Sequence, residues 1–150
     1  MRVEIDQSGR IEYTKEDTVL AFSDSKHFSI LIPTTVKRNC VRELRDRSLS
    51  GPTLYTQLFA TALFLLLKDH IRKISPVIID VEYKGREAQI KEHLLHLFRR
   101  HNMAVHPDEI DFDWVGKRSP AHILALEVRR GDRGPDLTVS EDQLLREFKE

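Results

Sequence analysis

The chain has a single cysteine, Cys40, so no internal disulfide can form. That fits a reducing compartment. An excess of one charge is also missing: 24 Lys and Arg stand against 24 Asp and Glu, a net charge of zero. No global field therefore draws the chain to nucleic acid, and any such binding must come from a local basic patch. The most apolar run, residues 58–67, is interrupted by Thr61. It covers about half of the ~20 residues that a membrane helix needs, so it is read as a buried helix. The opening MRVEID lacks the apolar stretch of a secretory signal. No internal repeat and no low-complexity tract stands out. These absences lead us to expect a cytoplasmic protein with no membrane partner. What is present suits one domain: 150 residues, 40% of them hydrophobic. A chain of that length buries roughly two-thirds of its unfolded surface.

Periodicity orders the elements. Residues 2–6 alternate, with Val3 and Ile5 on one face and Glu4 and Asp6 on the other, as in a short strand. Residues 18–23 and 27–32 are two more apolar runs around the polar turn Asp24-Ser25-Lys26, which reads as a hairpin. Residues 34–49 have a helical pattern, with Thr34 or Thr35 as N-cap. One face of that helix carries Lys37, Arg38, Arg42, Arg45 and Arg47 against only Glu43 and Asp46. Ser50-Gly51-Pro52 breaks it. Residues 53–74 read as one long helix, apolar on most sides, packed on a sheet. Residues 76–83 begin with a nearly continuous apolar run, as in a central strand covered on both faces. An amphipathic helix over 86–101, a strand over 110–115 and a helix from Ser119-Pro120 to Gly131 follow. In the last, Ser119 is the N-cap and Pro120 takes the first helical position. Trp114 falls in a strand pattern and is expected in the core. Residues 132–136 read as a linker. Ser140 with Gln143 is a capping box that opens a short charged helix. We therefore expect one domain over 1–131, with a linker and terminal helix over 132–150.

The order strand-strand-strand-helix-strand-helix-strand-helix resembles the ribonuclease H-like superfamily over about residues 2–131. Three local patterns carry the resemblance. Asp6-Gln7-Ser8-Gly9 ends the first strand and is similar to the family's Asp-x-Ser opening. Val77-Ile78-Ile79-Asp80 ends the fourth strand in a carboxylate. Phe112-Asp113-Trp114-Val115-Gly116-Lys117 followed by Pro120-Ala121-His122-Ile123-Leu124-Ala125 looks like the family's last strand and helix. The resemblance implies a mixed five-stranded sheet with helices on both faces, plus an extra basic helix over 34–49. It also implies that the first and fourth strands are parallel neighbours. Its implied function is metal-dependent phosphodiester hydrolysis, with Mg²⁺ or Mn²⁺ as cofactor and Asp6 and Asp80 as metal ligands. Two departures shape the site. Gln57 stands where ribonuclease H has an early helix glutamate, and His122 stands where it has a late aspartate. The set of the RuvC-type resolvases, with a histidine on the last helix, fits better than a four-carboxylate site.

The residues themselves allow this chemistry. Glu82 lies two positions beyond Asp80 and so shares its sheet face. With Asp6 and His122 it completes a candidate catalytic set of Asp6, Asp80, Glu82 and His122. Hard oxygen ligands suit Mg²⁺, and a histidine there can ligate, position water or protonate a leaving group. Plainer roles compete. A strand-end Asp often serves a turn, Glu82 has Lys84 and Arg86 nearby as ion partners, and a lone His among Ala121, Ile123 and Leu124 suits a structural role. Asp80 is harder to dismiss, because a carboxylate ending a buried apolar strand needs water, a partner or a metal. His93 and His96 are spaced i, i+3, but no further ligand completes a site there. For nucleic acid, the expected contacts are Lys37, Arg38, Arg42 and Arg45 on the basic helix, with Lys117 and Arg118 at the start of the last helix. A charge run of this kind is also commonly a solvated face. The alternative functions are a non-catalytic binding or scaffold module of the same fold and a small protein-interaction domain.

Overall fold

The computed structural model describes residues 2–148. Strands β1 (Val3–Ser8), β2 (Thr18–Ser23), β3 (His27–Ile32), β4 (Val77–Asp80), β5 (Ile110–Asp113) and β6 (Leu137–Thr138) form one sheet, in the order β5-β4-β1-β2-β3-β6. The helices are α1 (Thr34–Asp46), α2 (Gly51–Leu67), α3 (Ile71–Ile74), α4 (Glu87–Arg100), α5 (Pro120–Arg130) and α6 (Glu141–Leu145). The sheet is mixed. β1 to β3 form an antiparallel meander, while β4 runs parallel to β1, β5 to β4 and β6 to β3. The pairing of the first and fourth strands is therefore as expected, in the register Val3↔Val77, Glu4↔Ile78, Ile5↔Ile79. The number of strands is not: there are six rather than five. The sixth is two residues long, too short for a periodic signal, and lies directly after the expected linker. It extends the sheet edge by pairing Ile30 with Leu137 and Leu31 with Thr138. The tail that follows it buries Val139 and Leu144 in the main core.

Alternation along the strands decides which helix covers which face. Val3, Ile5, Leu20, Phe22, Ile30, Ile32, Val77 and Ile79 join the large core with α2 and α4. Val19 and Ala21 point to the other face and meet Leu124, Ala125 and Val128 of α5. α2 is buried at twelve of its positions, which explains its lack of a polar face. Burying each of its larger side chains, such as Phe59 or Phe64, stabilises the fold by roughly 1.5–3 kcal/mol.

Several local expectations meet a different outcome. The long helix expected over 53–74 begins at Gly51 and ends at Leu67. The polar triplet Lys68-Asp69-His70 turns the chain before α3, and the His70 ring packs 4.4 Å from that of Phe28. Neither Thr34 nor Thr35 is the N-cap of α1: Pro33 is, with no side-chain bond of its own. The free N–H of Thr34 donates instead to Asp17 Oδ1 at 2.8 Å, and the Thr34 hydroxyl to the same oxygen at 2.6 Å. A carboxylate from a distant loop thus does the capping, and it suits the positive end of the helix dipole. Trp114 is not in the core but 68% exposed. β5 ends one residue before it and lies at the sheet edge, so no neighbouring strand or helix covers the ring. The caps of α5 and α6 are as expected. Ser119 accepts a hydrogen bond from the Ala121 amide, Gly131 closes α5 in the left-handed conformation, and Ser140 and Gln143 form the capping box.

Candidate metal centre

Asp6 follows Ile5 on β1, and Asp80 follows Ile79 on β4. Ile5 and Ile79 are partners in a parallel pair, so the two carboxylates leave neighbouring strands side by side. Both alternate away from the main core and toward the α5 side, where His122 in the first turn of α5 meets Asp6. One oxygen each from Asp6, Asp80 and Glu82 lies within 4.8 Å of the others. The three acids named from the sequence therefore form one cluster, which His122 joins through Asp6. β4 ends at Asp80, so Glu82 reaches the cluster from the loop after the strand rather than from the strand itself.

Each group is tied down by its neighbours. Asp6 is almost fully buried; its Oδ1 accepts from the Gln7 amide at 2.8 Å and its Oδ2 bonds His122 Nδ1 at 2.7 Å. Asp80 Oδ1 accepts from the Val115 amide at 2.7 Å, which binds the loop after β5 to the end of β4. Glu82 pairs with neither Lys84 nor Arg86: Arg10 Nη1 lies 3.6 Å from its Oε2. Arg10 also holds Glu12 at 2.9 Å and lies over the Tyr83 ring, 4.6 Å from its centroid. Tyr83 is buried, and its hydroxyl accepts from the Ile11 amide at 3.2 Å. Arg10 and Tyr83 gave no sequence signal, because residues 9–17 have no periodicity and Tyr83 looked like one more strand residue.

The electrostatics follow from burial and crowding of like charge. Burial pushes the Asp6 carboxyl up to about 6, and the bonds from Gln7 and His122 hold it from rising further. Glu82 is pushed up to about 8, first by burial, then by a hydrogen bond shared with Asp80 and by the charges of Asp80 and Asp6. Three carboxylates this close repel one another, so the metal-free cluster retains a proton at neutral pH. A divalent cation is the natural replacement for that proton. Adjacent oxygens on one octahedral Mg²⁺ stand about 2.9 Å apart at ligand distances of 2.0–2.1 Å, so the three carboxylates, now within 4.8 Å of one another, would have to close on an ion to share it.

The expected nucleic-acid contacts divide. Lys37 is buried, and its Nζ donates to the carbonyls of Arg10, Tyr13 and Glu16 at 3.1, 2.7 and 2.7 Å. It staples the loop between β1 and β2 and presents no charge to a phosphate, so its expected role is corrected. Helical spacing had placed it on the charged face, but the loop folds over that position. Arg38 is exposed, yet its Nε donates to the Thr14 carbonyl at 3.0 Å. Arg45 reaches the Tyr55 hydroxyl at 3.1 Å. Arg42, Lys117 and Arg118 are exposed and have no ion partner among the described residues. Gln57 lies apart from the acids, in a groove between α2 and α4 with Gln89 and His93. Among the described residues, no helix is long and apolar enough to cross a membrane. Compared with models of known families, with curated proteins and with solved structures, the chain matches none.

Proposed function

We propose that the chain is a divalent-metal-dependent nuclease-like protein of ribonuclease H-like fold, acting on nucleic acid by phosphodiester hydrolysis. The observation that carries the reading is the meeting of Asp6, Asp80 and Glu82 just beyond the last residues that β1 and β4 pair in parallel, Ile5 and Ile79. The strand order β5-β4-β1-β2-β3 and the packing of α5 beside that meeting point support it. Asp6 and Asp80 would hold Mg²⁺ or Mn²⁺, with Glu82 as a third carboxylate beside them. A bound ion of this kind activates water and neutralises charge on the leaving oxygen. His122 positions Asp6, its Nδ1 proton directed at Oδ2, and its other ring nitrogen remains for a proton transfer. Arg42, Arg45, Lys117 and Arg118 are the cations left to meet phosphates.

A second reading, a non-catalytic binding or scaffold module of the same fold, is favoured by Gln57, which brings no carboxylate to the cluster. A cleavage assay on branched DNA, duplex DNA, RNA–DNA hybrid and single strands, with Mg²⁺ or Mn²⁺, decides between the two. The nuclease reading expects metal-dependent cleavage that Asp80→Asn abolishes. If no substrate is cut, the non-catalytic module takes its place.

A further inference from the structure

Beside the acid cluster lies an open groove with a volume of about 750 Å³, lined in part by Arg10, Tyr55, Glu82, Lys84, Arg86 and Trp114. Glu82 belongs to both the groove and the cluster, so the groove adjoins the carboxylates. Trp114 is the only tryptophan of the chain and one of the few large apolar side chains left exposed. An exposed indole beside a concave, charged surface is a candidate stacking platform. The Lys84 ammonium lies over the ring, 5.2 Å from its centroid. Neither Lys84 nor Arg86 has a carboxylate partner among the described residues, whereas Arg10 is already committed to Glu12 and Glu82. The first turn of α2, Gly51 and Pro52, borders the same space and adds the positive end of a 17-residue helix.

We propose that this groove is a subsite for an unpaired nucleotide, its base stacked on Trp114 and its phosphate held by Lys84 and Arg86, next to Glu82. The volume lies in the range of small-molecule sites, enough for one or two nucleotides and far too small for a duplex. Stacking on an indole requires a free base face. Inside a duplex both faces of every base are occupied, so a single strand, a flap or a splayed junction base fits and a continuous helix does not. The inference rests on the nuclease reading for its substrate class, but it predicts binding that needs no metal.

The test uses the full chain in chelator, where binding is separated from cleavage. Hexathymidylate and hexauridylate are titrated against the fluorescence of Trp114, and labelled copies of each against anisotropy. The expected result is quenching by one or both. Trp114→Ala should weaken binding about 5- to 150-fold, the range for loss of one stacked base. Lys84→Ala and Arg86→Ala should each lower the slope of log affinity against log salt by about 0.7. Relaxed, covalently closed circular duplex, which offers no unpaired base, should leave the fluorescence unchanged. Trp114 and Lys84 are exposed and Arg86 is half-buried, so the variants should melt close to wild type. The proposal is overturned if neither oligonucleotide quenches, if Trp114→Ala binds as tightly as wild type, or if closed duplex quenches equally. Quenching without cleavage in Mg²⁺ keeps the subsite and removes the nuclease reading. Cleavage without quenching keeps the nuclease and removes the subsite.

Discussion

The Nδ1 atom of His122 lies 2.7 Å from the Oδ2 atom of Asp6, across 116 positions of sequence. The contact joins the first turn of the last long helix to the first strand. With an ionised Asp6, a ring proton sits on Nδ1 and is directed at Oδ2. Asp6 in turn keeps its other oxygen on the Gln7 amide, so its carboxylate has little freedom. His122 thus acts on the cluster by aiming Asp6.

Metal binding is the first expectation this geometry sets. Replacing a shared proton by a cation removes the repulsion among Asp6, Asp80 and Glu82. Mg²⁺ or Mn²⁺ should therefore raise the melting temperature of the wild-type chain. The stabilisation follows RT ln(1 + [L]/Kd), about 2.7 kcal/mol at a hundredfold excess over Kd. Asp80→Asn should largely lose that response. It should also melt no lower than wild type without metal, because one of the three crowded charges is gone. A calorimetric melt series with metal titrated in would show it; a wild-type melting point indifferent to both ions would remove the metal centre.

The pH dependence has a definite sign. Glu82 is held up at about 8 and Asp6 at about 6 in the folded chain, against ordinary carboxyl values near 4 in the unfolded one. Between those limits the folded state carries more protons, so stability falls as pH rises. As far as these two groups are concerned, the metal-free chain should be most stable below about pH 4 and should lose stability progressively as pH rises to about 8. Glu82→Gln should flatten the upper part of that slope, and saturating Mg²⁺ should do the same. Melts in chelator from pH 5 to 9 measure it. A wild-type slope equal to that of Glu82→Gln would show that Glu82 does not retain its proton.

Much of the cluster was legible because periodicity placed Asp6 and Asp80 on strands and the family resemblance implied that those two strands are parallel neighbours. Asp6 and Asp80 each follow apolar strand residues, and pairing the first strand with the fourth is enough to bring them together. The two-residue β6 was not legible, since alternation needs several residues to register. Trp114 failed for another reason. Its alternation matched a strand, but an edge strand that ends one residue earlier leaves the ring in solvent. Lys37 failed because helical spacing shows which residues share a face and not what folds over that face. The same hidden loop concealed Arg10, which reaches Glu82 from a stretch without pattern. Tertiary contacts from irregular chain are what a single sequence discloses least.

That loop gives the next expectation. Lys37 satisfies three backbone carbonyls at once, and its burial pushes its ammonium down to about 8. Lys37→Ala leaves those carbonyls without their donor and should destabilise the chain on the order of 3 kcal/mol. A charge contact to nucleic acid would behave differently. Its loss would change the salt slope of binding and spare the melting temperature. Chemical denaturation beside a salt-dependent binding series separates the two, and a Lys37→Ala chain as stable as wild type would return the residue to the list of phosphate contacts.

Gly9 supplies the last expectation. It follows the Asp6-Gln7-Ser8 segment and turns the chain out of β1 with φ of +78°, in the left-handed region. A Cβ built there would sit 2.1 Å from the carbonyl oxygen of Asp17, which is backbone and cannot swing aside. Two costs therefore add in Gly9→Ala. The left-handed conformation costs a non-glycine residue roughly 1–3 kcal/mol, and relief of the clash must move either the end of β1 or the segment carrying Asp17. The second cost reaches function. Asp17 caps α1 through Thr34, and β1 carries Asp6, so a shift at Gly9 disturbs both. Gly9→Ala should lose more than about 2 kcal/mol of stability, above the usual effect of a surface substitution. It should also weaken the metal-induced rise in melting temperature. Gly131→Ala is the control, since that residue has a similar φ of +82° but nothing within 4 Å of its Cβ position. It should show the conformational cost alone and keep the full metal response. Equal destabilisation in the two variants, with equal metal response, would show that the packing of Gly9 against Asp17 does not hold the metal centre in place.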